Sequence, residues 1–429
     1  MDTRPNILLV LTDQQHADTI GELGQAHVQT PAIDELVRGG TSFTQSYCAN
    51  PVCSPSRSSI FTSRTTSETN VWTNGRSIRP GLPTMGEHFR EAGYDTAYAG
   101  KWHVPACYPN SIEGFRVLSS GIGHQGTVSD PLATDGCVNY LHGRDTSKPF
   151  LMVASYMQPH DICEWLRLNR VDTGDLHYPE IAGELPPLPD NFAAIPEPLP
   201  AAIAKKHNGL EPRYGNWSDT HFRYYIWSYL RHVEMVDAEL ARLLAALDAT
   251  NVRRDTVVLF TSDHGEGMAN HAMTRKGFLY DESVRVPFVI NGGEHVQSGV
   301  VDEKTLVSGM DILPTLCDFA GIESPPGAKG VSLLPALAGS EMDRPFVASE
   351  CSNNQEQMIR SFRYKYIAYK DDPIEQLFDM QDDPGETQNL SVDETHRAVL
   401  EEHRDLLAGW IGHLDLAPDL PEECRWEFD

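Results

Sequence analysis

The residues best suited to chemistry are concentrated in Cys53-Ser54-Pro55-Ser56-Arg57, followed by Ser58-Ser59-Ile60-Phe61-Thr62-Ser63-Arg64. A cysteine between Pro and Arg in a Ser-rich stretch is a poor core residue, because its neighbours need solvent or polar partners of their own. The run therefore predicts a site. Three chemistries use a cysteine: a thiolate nucleophile asks for a histidine or a helix N-terminus, a zinc ligand for companion cysteines, and a disulfide for an oxidising compartment. No CxxC occurs, and the cysteines at 48, 53, 107, 137, 163, 317, 351 and 424 follow no regular framework, so most are expected as reduced thiols.

Other polar residues sit where strands should end. The apolar run Ile7-Leu8-Leu9-Val10-Leu11 has the character of a buried parallel strand and stops at Thr12-Asp13-Gln14-Gln15. A carboxylate at that end is where α/β folds gather their chemistry, although an Asp here serves equally as a helix N-cap. Tyr94 to Ala99 predicts a second strand, delivering Lys101 and His103 after Gly100. A third, Phe150 to Tyr156, runs out at Met157-Gln158-Pro159-His160. A fourth, Thr256 to Thr261, runs out at Ser262-Asp263-His264-Gly265-Glu266. Lys276 precedes one more buried strand at Val286 to Ile290. Taken singly, each lysine could be a surface residue and each histidine a satisfied core or loop residue.

The elements between these strands are helical. Thr84 to Gly93 reads as a short amphipathic helix closed by glycine. Between Thr220 and Leu247, Ile226, Leu230, Val233, Val236, Leu240, Leu243, Leu244 and Leu247 form one apolar stripe at helical spacing. From 163 to 220 the prolines at 186, 187, 189, 196, 198 and 200 predict a long excursion without regular structure. Trp165, His177, Lys205, Lys206, His207 and Trp217 are its candidate substrate contacts, and equally its candidate packing and surface residues. A helix is expected from Met310, alternating strands from Phe346 to Tyr369, and a closing helix over 393–412.

Length and charge set bounds. A chain of 429 residues is long enough for one large core and a smaller attached unit. A formal charge of −27 leaves no basic surplus to displace counterions, which excludes nucleic acid as the expected partner. No signal segment precedes the first strand, and no run of about eighteen apolar residues is present to span a bilayer. A cytoplasmic protein with no membrane partner is expected from the sequence as it stands, or a periplasmic or secreted one if a leader has been removed.

Together the motifs resemble the type I sulfatases, of the alkaline phosphatase-like superfamily. Cys53-x-Pro55-Ser56-Arg57 with Thr62 and Arg64 is similar to the first signature, with Ser63 where the family has Gly. Gly93-Tyr94-x-Thr96-x-x-x-Gly100-Lys101-Trp102-His103 is similar to the second without mismatch. Glu375 to Met380 and Asp382 to Leu390 resemble the family's small C-terminal subdomain. The resemblance implies a three-layer α/β sandwich around a large mixed, mostly parallel sheet, with a sulfatase catalytic domain at 1–342 and a C-terminal α+β subdomain with an antiparallel sheet at 343–429.

It also implies a reaction. Cys53 would be oxidised to formylglycine by a formylglycine-generating or anaerobic maturation enzyme, and the hydrated aldehyde would supply the nucleophilic hydroxyl. Asp13, Gln14, Cys53, Asp263 and His264 would line the site of one divalent metal. Calcium or magnesium suits the hard oxygen donors, calcium first, while the histidine leaves room for manganese or zinc. Arg57, Lys101 and Lys276 would neutralise charge at the sulfate. Asp263 would deprotonate the nucleophile, His160 or Lys276 would assist the leaving alcohol, and His103 would take the proton of the second hydroxyl. The expected substrate is a sulfate ester, a sulfated saccharide ahead of a small-molecule sulfate. Two other readings stand beside it: a phosphonate monoester or phosphodiester hydrolase on the same scaffold, and an inactive binding protein of this fold.

Overall fold

The structure, a computed structural model, describes residues 4–119, 125–170, 179–209, 217–292 and 296–426, without the side chains of 207–209. His177 and the His207 side chain, two of the candidate substrate contacts, lie outside the described residues.

An eight-stranded sheet carries the fold. Its strands are β1 (Asn6–Asp13), β2 (Thr41–Phe43), β3 (Asp95–Gly100), β4 (Arg116–Ser119), β5 (Phe150–Pro159), β6 (Thr256–Ser262), β7 (Phe288–Asn291) and β8 (Val300–Asp302). They lie in the order β4-β3-β5-β1-β6-β7-β2-β8. The first five of that order are mutually parallel, and β7 reverses direction against both β6 and β2. The central strands β1, β5 and β6 are buried along their whole length, as near-continuous apolar runs require.

Successive residues of β1 feed opposite faces. Ile7, Leu9 and Leu11 pack toward Ile60 and Phe61 of α1 (Cys53–Thr62), Met85 and Phe89 of α2 (Met85–Glu91), and Ile312, Leu313 and Leu316 of α3 (Ile312–Phe319). Leu8 and Val10 pack toward Ala133 and Leu141 of α4 (Gly126–Gly143) and toward Leu240, Leu243 and Leu247 of the long helix α5 (Asp219–Ala249). Burying side chains of this kind contributes about 1.5–3 kcal/mol each. That pins the register, and with it the strand ends where the polar residues sit. This is the expected three-layer sandwich.

A second, four-stranded antiparallel sheet follows: β9 (Phe346–Cys351), β10 (Glu356–Ser361), β11 (Tyr364–Tyr369) and β12 (Gln376–Asp379). One face packs on Phe278, Tyr280, Val284 and Val286, and the other on α6 (Arg397–Gly412). The closing helix starts a few residues later than expected, after two short 3-10 turns. No helix among the described residues is long and apolar enough to cross a membrane.

Two expectations need correction. The proline-rich excursion is not devoid of regular structure: Ile162–Leu168 and Ala201–Gly209 are helical. Pro200 precedes the second of these and leads into it, since a missing N–H costs nothing at a helix start; Ala204 N donates to the Pro200 carbonyl at 2.8 Å. The polar neighbours of Cys53 do not seek solvent. Every residue of α1 is buried, and its hydroxyls find partners inside the fold, such as Ser56 Oγ on the Asp263 carbonyl at 2.5 Å.

Candidate active site

Parallel pairing of β1 with β6 sets Thr12 opposite Ser262, so Asp13 and Asp263 emerge side by side. Asp263 N donates to the Thr12 carbonyl at 3.1 Å, and Gln14 N to Asp263 Oδ1 at 3.1 Å. Both carboxylates are fully buried. Helix α1 aims its N-terminus at them with Cys53 as its first residue, and Asn74 Oδ1 accepts from Ser54 N at 3.0 Å. Cys53 Sγ lies 3.2 Å from His264 Nε2, 3.3 Å from Lys276 Nζ and 3.7 Å from Asp13 Oδ1.

One turn along α1, Arg57 reaches beneath this cluster. Its Nε donates to Asp263 Oδ2 at 2.8 Å, one terminal nitrogen donates to the Lys101 carbonyl and to Ser155 Oγ, each at 2.8 Å, and the other lies 3.5 Å from Asp13 Oδ2. Lys101 enters from the end of β3 and donates to Asp13 Oδ2. Gly100 makes that approach possible: its φ is +93°, and a Cβ there would stand 1.9 Å from the Ser155 carbonyl.

Charge balance inside the cluster follows from these contacts. Burial and Asp13 oppose ionisation of the Cys53 thiol, but Lys101, Lys276 and His264 overcome them and hold it well below the usual thiol range. Burial, Lys276 and Lys101 pull His160 down to about 3 against the Asp13 carboxylate, so its ring is neutral. His160 is thus close enough to feel the cluster. His103, with φ 65°, is fastened by its carbonyl to Ser54 Oγ at 2.5 Å, and its Nδ1 has no partner among the described residues.

The donor set suits a divalent cation. One oxygen of each aspartate is tied to a protein cation, Asp13 Oδ2 to Lys101 and Asp263 Oδ2 to Arg57. Ligand atoms of Asp13, Cys53, Asp263 and His264 lie within 4.8 Å of one another. His264 Nδ1 is 2.9 Å from the Gly265 carbonyl, which turns Nε2 toward the cluster as a ligating histidine requires. Gln14 Oε1 accepts from Lys276 Nζ, which also sits 4.0 Å from Asp13 Oδ1. Hard oxygens with one imidazole fit calcium or magnesium and admit manganese.

The structure thus gathers Asp13, Gln14, Cys53, Arg57, Lys101, Asp263, His264 and Lys276 around one point, with His160 near and His103 on the margin. Ser155, Tyr225, Tyr229 and Glu266 are partners that the motifs did not single out. Glu266 was visible two residues past His264, and the tyrosines lie one turn apart on the α5 stripe; a strand-end rule cannot reveal partners drawn from the middle of a helix. Among the candidate substrate contacts, Trp165 and Trp217 pack against each other at 5.8 Å within an aromatic cluster. Lys206 is tied to the Gly277 carbonyl and lies 3.6 Å from Glu356, while Lys205 is exposed.

A buried metal-type acid pair beside a helix N-terminal cysteine, at the strand ends of this sheet, is the arrangement expected of the alkaline phosphatase-like class, whose fold the structural neighbours share. Residues 5–322 match the Sulfatase family, and residues 269–410 match the family described as N-sulphoglucosamine sulphohydrolase, C-terminal. The chain belongs to the sulfatase family, and its near relatives are named sulfatases, that is, sulfuric ester hydrolases; the family in general implies formylglycine and a metal. It is 32% identical to a Delta 4,5-hexuronate-2-O-sulfatase of Bacteroides thetaiotaomicron, over 98% of this chain and 93% of that one. The solved structure of a 2-O GAG sulfatase superposes with a TM-score of 0.85 at 29% identity, covering 99% of this chain and 98% of the other. A phosphonate monoester hydrolase of Agrobacterium radiobacter shares the fold, with a TM-score of 0.80 at 23% identity and 96% coverage of both chains.

Proposed function

We propose that the enzyme removes sulfate from a sulfated carbohydrate, with a 2-O-sulfated hexuronate as the first candidate. The observation that carries the substrate class is the full-length likeness to a hexuronate-2-O-sulfatase and to a 2-O GAG sulfatase. Arg275 adds support from this chain's own residues. It adjoins Lys276, is half-buried, and its Nε has no hydrogen-bond partner among the described residues. With Lys276 it lowers the Cys163 thiol pKa against the burial that raises it, and Cys163 Sγ lies 3.5 Å from Gln14 Nε2, so its charge acts at the site margin. A guanidinium there suits a carboxylate beside the sulfate ester.

A sulfate ester repels any anionic nucleophile, so positive charge must be fixed around its oxygens before the bond breaks. Asp13, Gln14, Asp263 and His264 would hold a divalent cation that would polarise the sulfate, and the hydrated aldehyde formed from Cys53 would supply the attacking hydroxyl. Arg57 and Lys101 hold the two aspartates in place and offset their charge. Lys276 Nζ, 3.3 Å from the Cys53 side chain, would hold a sulfate oxygen, and His160, kept neutral by burial and by Lys276, would be a second donor for the leaving oxygen. Burial of the cluster excludes water and strengthens each contact.

The test is a panel of esters at matched concentration: an unsaturated 2-O-sulfated hexuronate disaccharide, N-acetylglucosamine 6-sulfate, choline sulfate, an aryl sulfate and an aryl phosphonate monoester. The enzyme should favour the hexuronate sulfate, and Arg275→Ala should cost about tenfold or more in kcat/KM on it but little on the aryl sulfate. Faster turnover of the phosphonate would overturn the sulfate reading. Mass spectrometry of the peptide holding residue 53 should find the aldehyde after co-expression with a maturation enzyme; an unconverted, inactive thiol would favour a binding protein.

A further inference from the structure

Gln14 follows β1 with φ 69°, in the left-handed region that a side chain disfavours. Two tyrosines one turn apart on α5 hold it there. Tyr229 Oη accepts from His16 N at 2.8 Å and donates to the Gln14 carbonyl at 2.6 Å. Tyr225 Oη donates to Glu266 Oε1, which also accepts from Arg275 N, and Glu266 Oε2 accepts from Gln14 Nε2. On its other side, Gln14 Oε1 accepts from Lys276 Nζ. Glu266, Tyr225 and Tyr229 are all fully buried.

This network decides a question that a glutamine raises and a glutamate does not. The two ends of an amide look alike in shape but opposite in function, since only the oxygen can bind a cation. Lysine offers donors alone and a carboxylate offers acceptors alone, so the pair leaves one sense for the amide. The inverted amide would set NH2 against the ammonium and oxygen against the carboxylate. A glutamate at position 14 would meet Glu266 as a second buried carboxylate within contact. The residue pair is therefore matched, one acid with one amide.

We propose that Glu266, fixed by Tyr225, is a positioning residue that turns the Gln14 amide oxygen toward the cation and Lys276. The proposal rests on the reading of Gln14 as a metal ligand. A sharp consequence follows for Glu266→Gln. Its Oε1 position serves two donors, Tyr225 Oη and Arg275 N, so the new amide keeps its oxygen there and presents NH2 to Gln14. Gln14 must then invert and turn its own NH2 to the cation site.

Isothermal calorimetry with CaCl2 tests this on four full-length proteins: wild type, E266Q, Q14E and the Q14E/E266Q exchange. Both single variants should bind Ca2+ about tenfold or more weakly than wild type. The exchange should return affinity to about wild type, because a carboxylate at 14 accepts from the new amide and still faces the cation with oxygen. A purely structural Glu266 would instead make the two losses add. Unchanged Ca2+ affinity in E266Q, or an exchange as weak as the sum of its parts, overturns the inference. Absence of saturable binding of Ca2+, Mg2+ or Mn2+ by the wild type overturns the metal reading itself. Should E266Q fail to fold, Tyr225→Phe carries the test, because it removes one of the two donors that hold Glu266 Oε1 and leaves only Arg275 N there; its Ca2+ affinity should fall several-fold, and an unchanged value overturns the proposal.

Discussion

Ser63 and Arg57 show how single residues carry the site. Ser63 ends α1 at φ 55°, the conformation a glycine adopts freely, which explains the Gly of the family pattern. Here the serine repays part of that strain: its Oγ donates to the Met310 carbonyl at 2.8 Å and accepts from Gly330 N at 3.1 Å. Ser63→Ala keeps the strain and loses both bonds, so it should lower stability by about 2 kcal/mol in urea titrations. Ser63→Gly loses the bonds but relieves the strain, and should cost less than half as much; the reverse order would refute the trade. Arg57 is fully buried and serves Asp263, Asp13, Lys101 and Ser155 at once. Arg57→Met leaves buried acceptors without donors and should cost about 3–5 kcal/mol along with activity. Arg57→Lys, lacking the fork, should recover less than half of that loss.

At the scale of elements, strand ends and helix starts converge because the registers are fixed by burial on both faces. Asp130 of α4 ties that helix to β5, accepting from Met157 N at 2.7 Å and Gln158 N at 2.8 Å next to His160. Burial pushes its carboxyl up to about 7, against those two bonds. A folded value above the unfolded one means that the native state holds the proton more tightly, so this group's contribution is present at low pH and lost as pH rises toward 7. Comparing wild type with Asp130→Asn by denaturant unfolding, the wild-type advantage should shrink by about 2–3 kcal/mol between pH 5 and pH 8. A difference constant with pH would contradict the shift. Elements with plain periodicity were readable in advance, as the α5 stripe and the β1 and β6 runs were. The short helices at 162–168 and 201–209 were not: the first is too brief to show a period, and the start of the second is masked by Pro200, which in fact leads into it.

Over the whole molecule, the small sheet behaves as a wall of the large domain. Val347, Met358, Ile367 and Phe378 cover Phe278, Tyr280, Val284 and Val286, the segment that follows Lys276. Lys365 bridges Glu386 at 2.7 Å and Asp281 at 2.5 Å across the same seam, and Glu350 accepts from Ser67 N at 2.9 Å behind α1. We therefore expect calorimetry to show a single unfolding transition, and the fragment 1–342 to be insoluble or inactive. Two separated transitions, or an active fragment, would contradict that coupling.

The sequence by itself determined which residues could do the chemistry and the strands that would deliver them. Its acids, cations and cysteine follow buried runs, and a buried run can end productively only at the sheet's rim. What the tertiary structure alone decided was the partnership among them. Hydrogen bonds join Gln14 to Glu266, Arg57 to Asp263 and Lys101 to Asp13 across 252, 206 and 88 positions of chain. No local pattern encodes a contact of that span. It arises when packing on both faces of the sheet brings those ends together, out of water, where an unpaired charge would be too costly to keep.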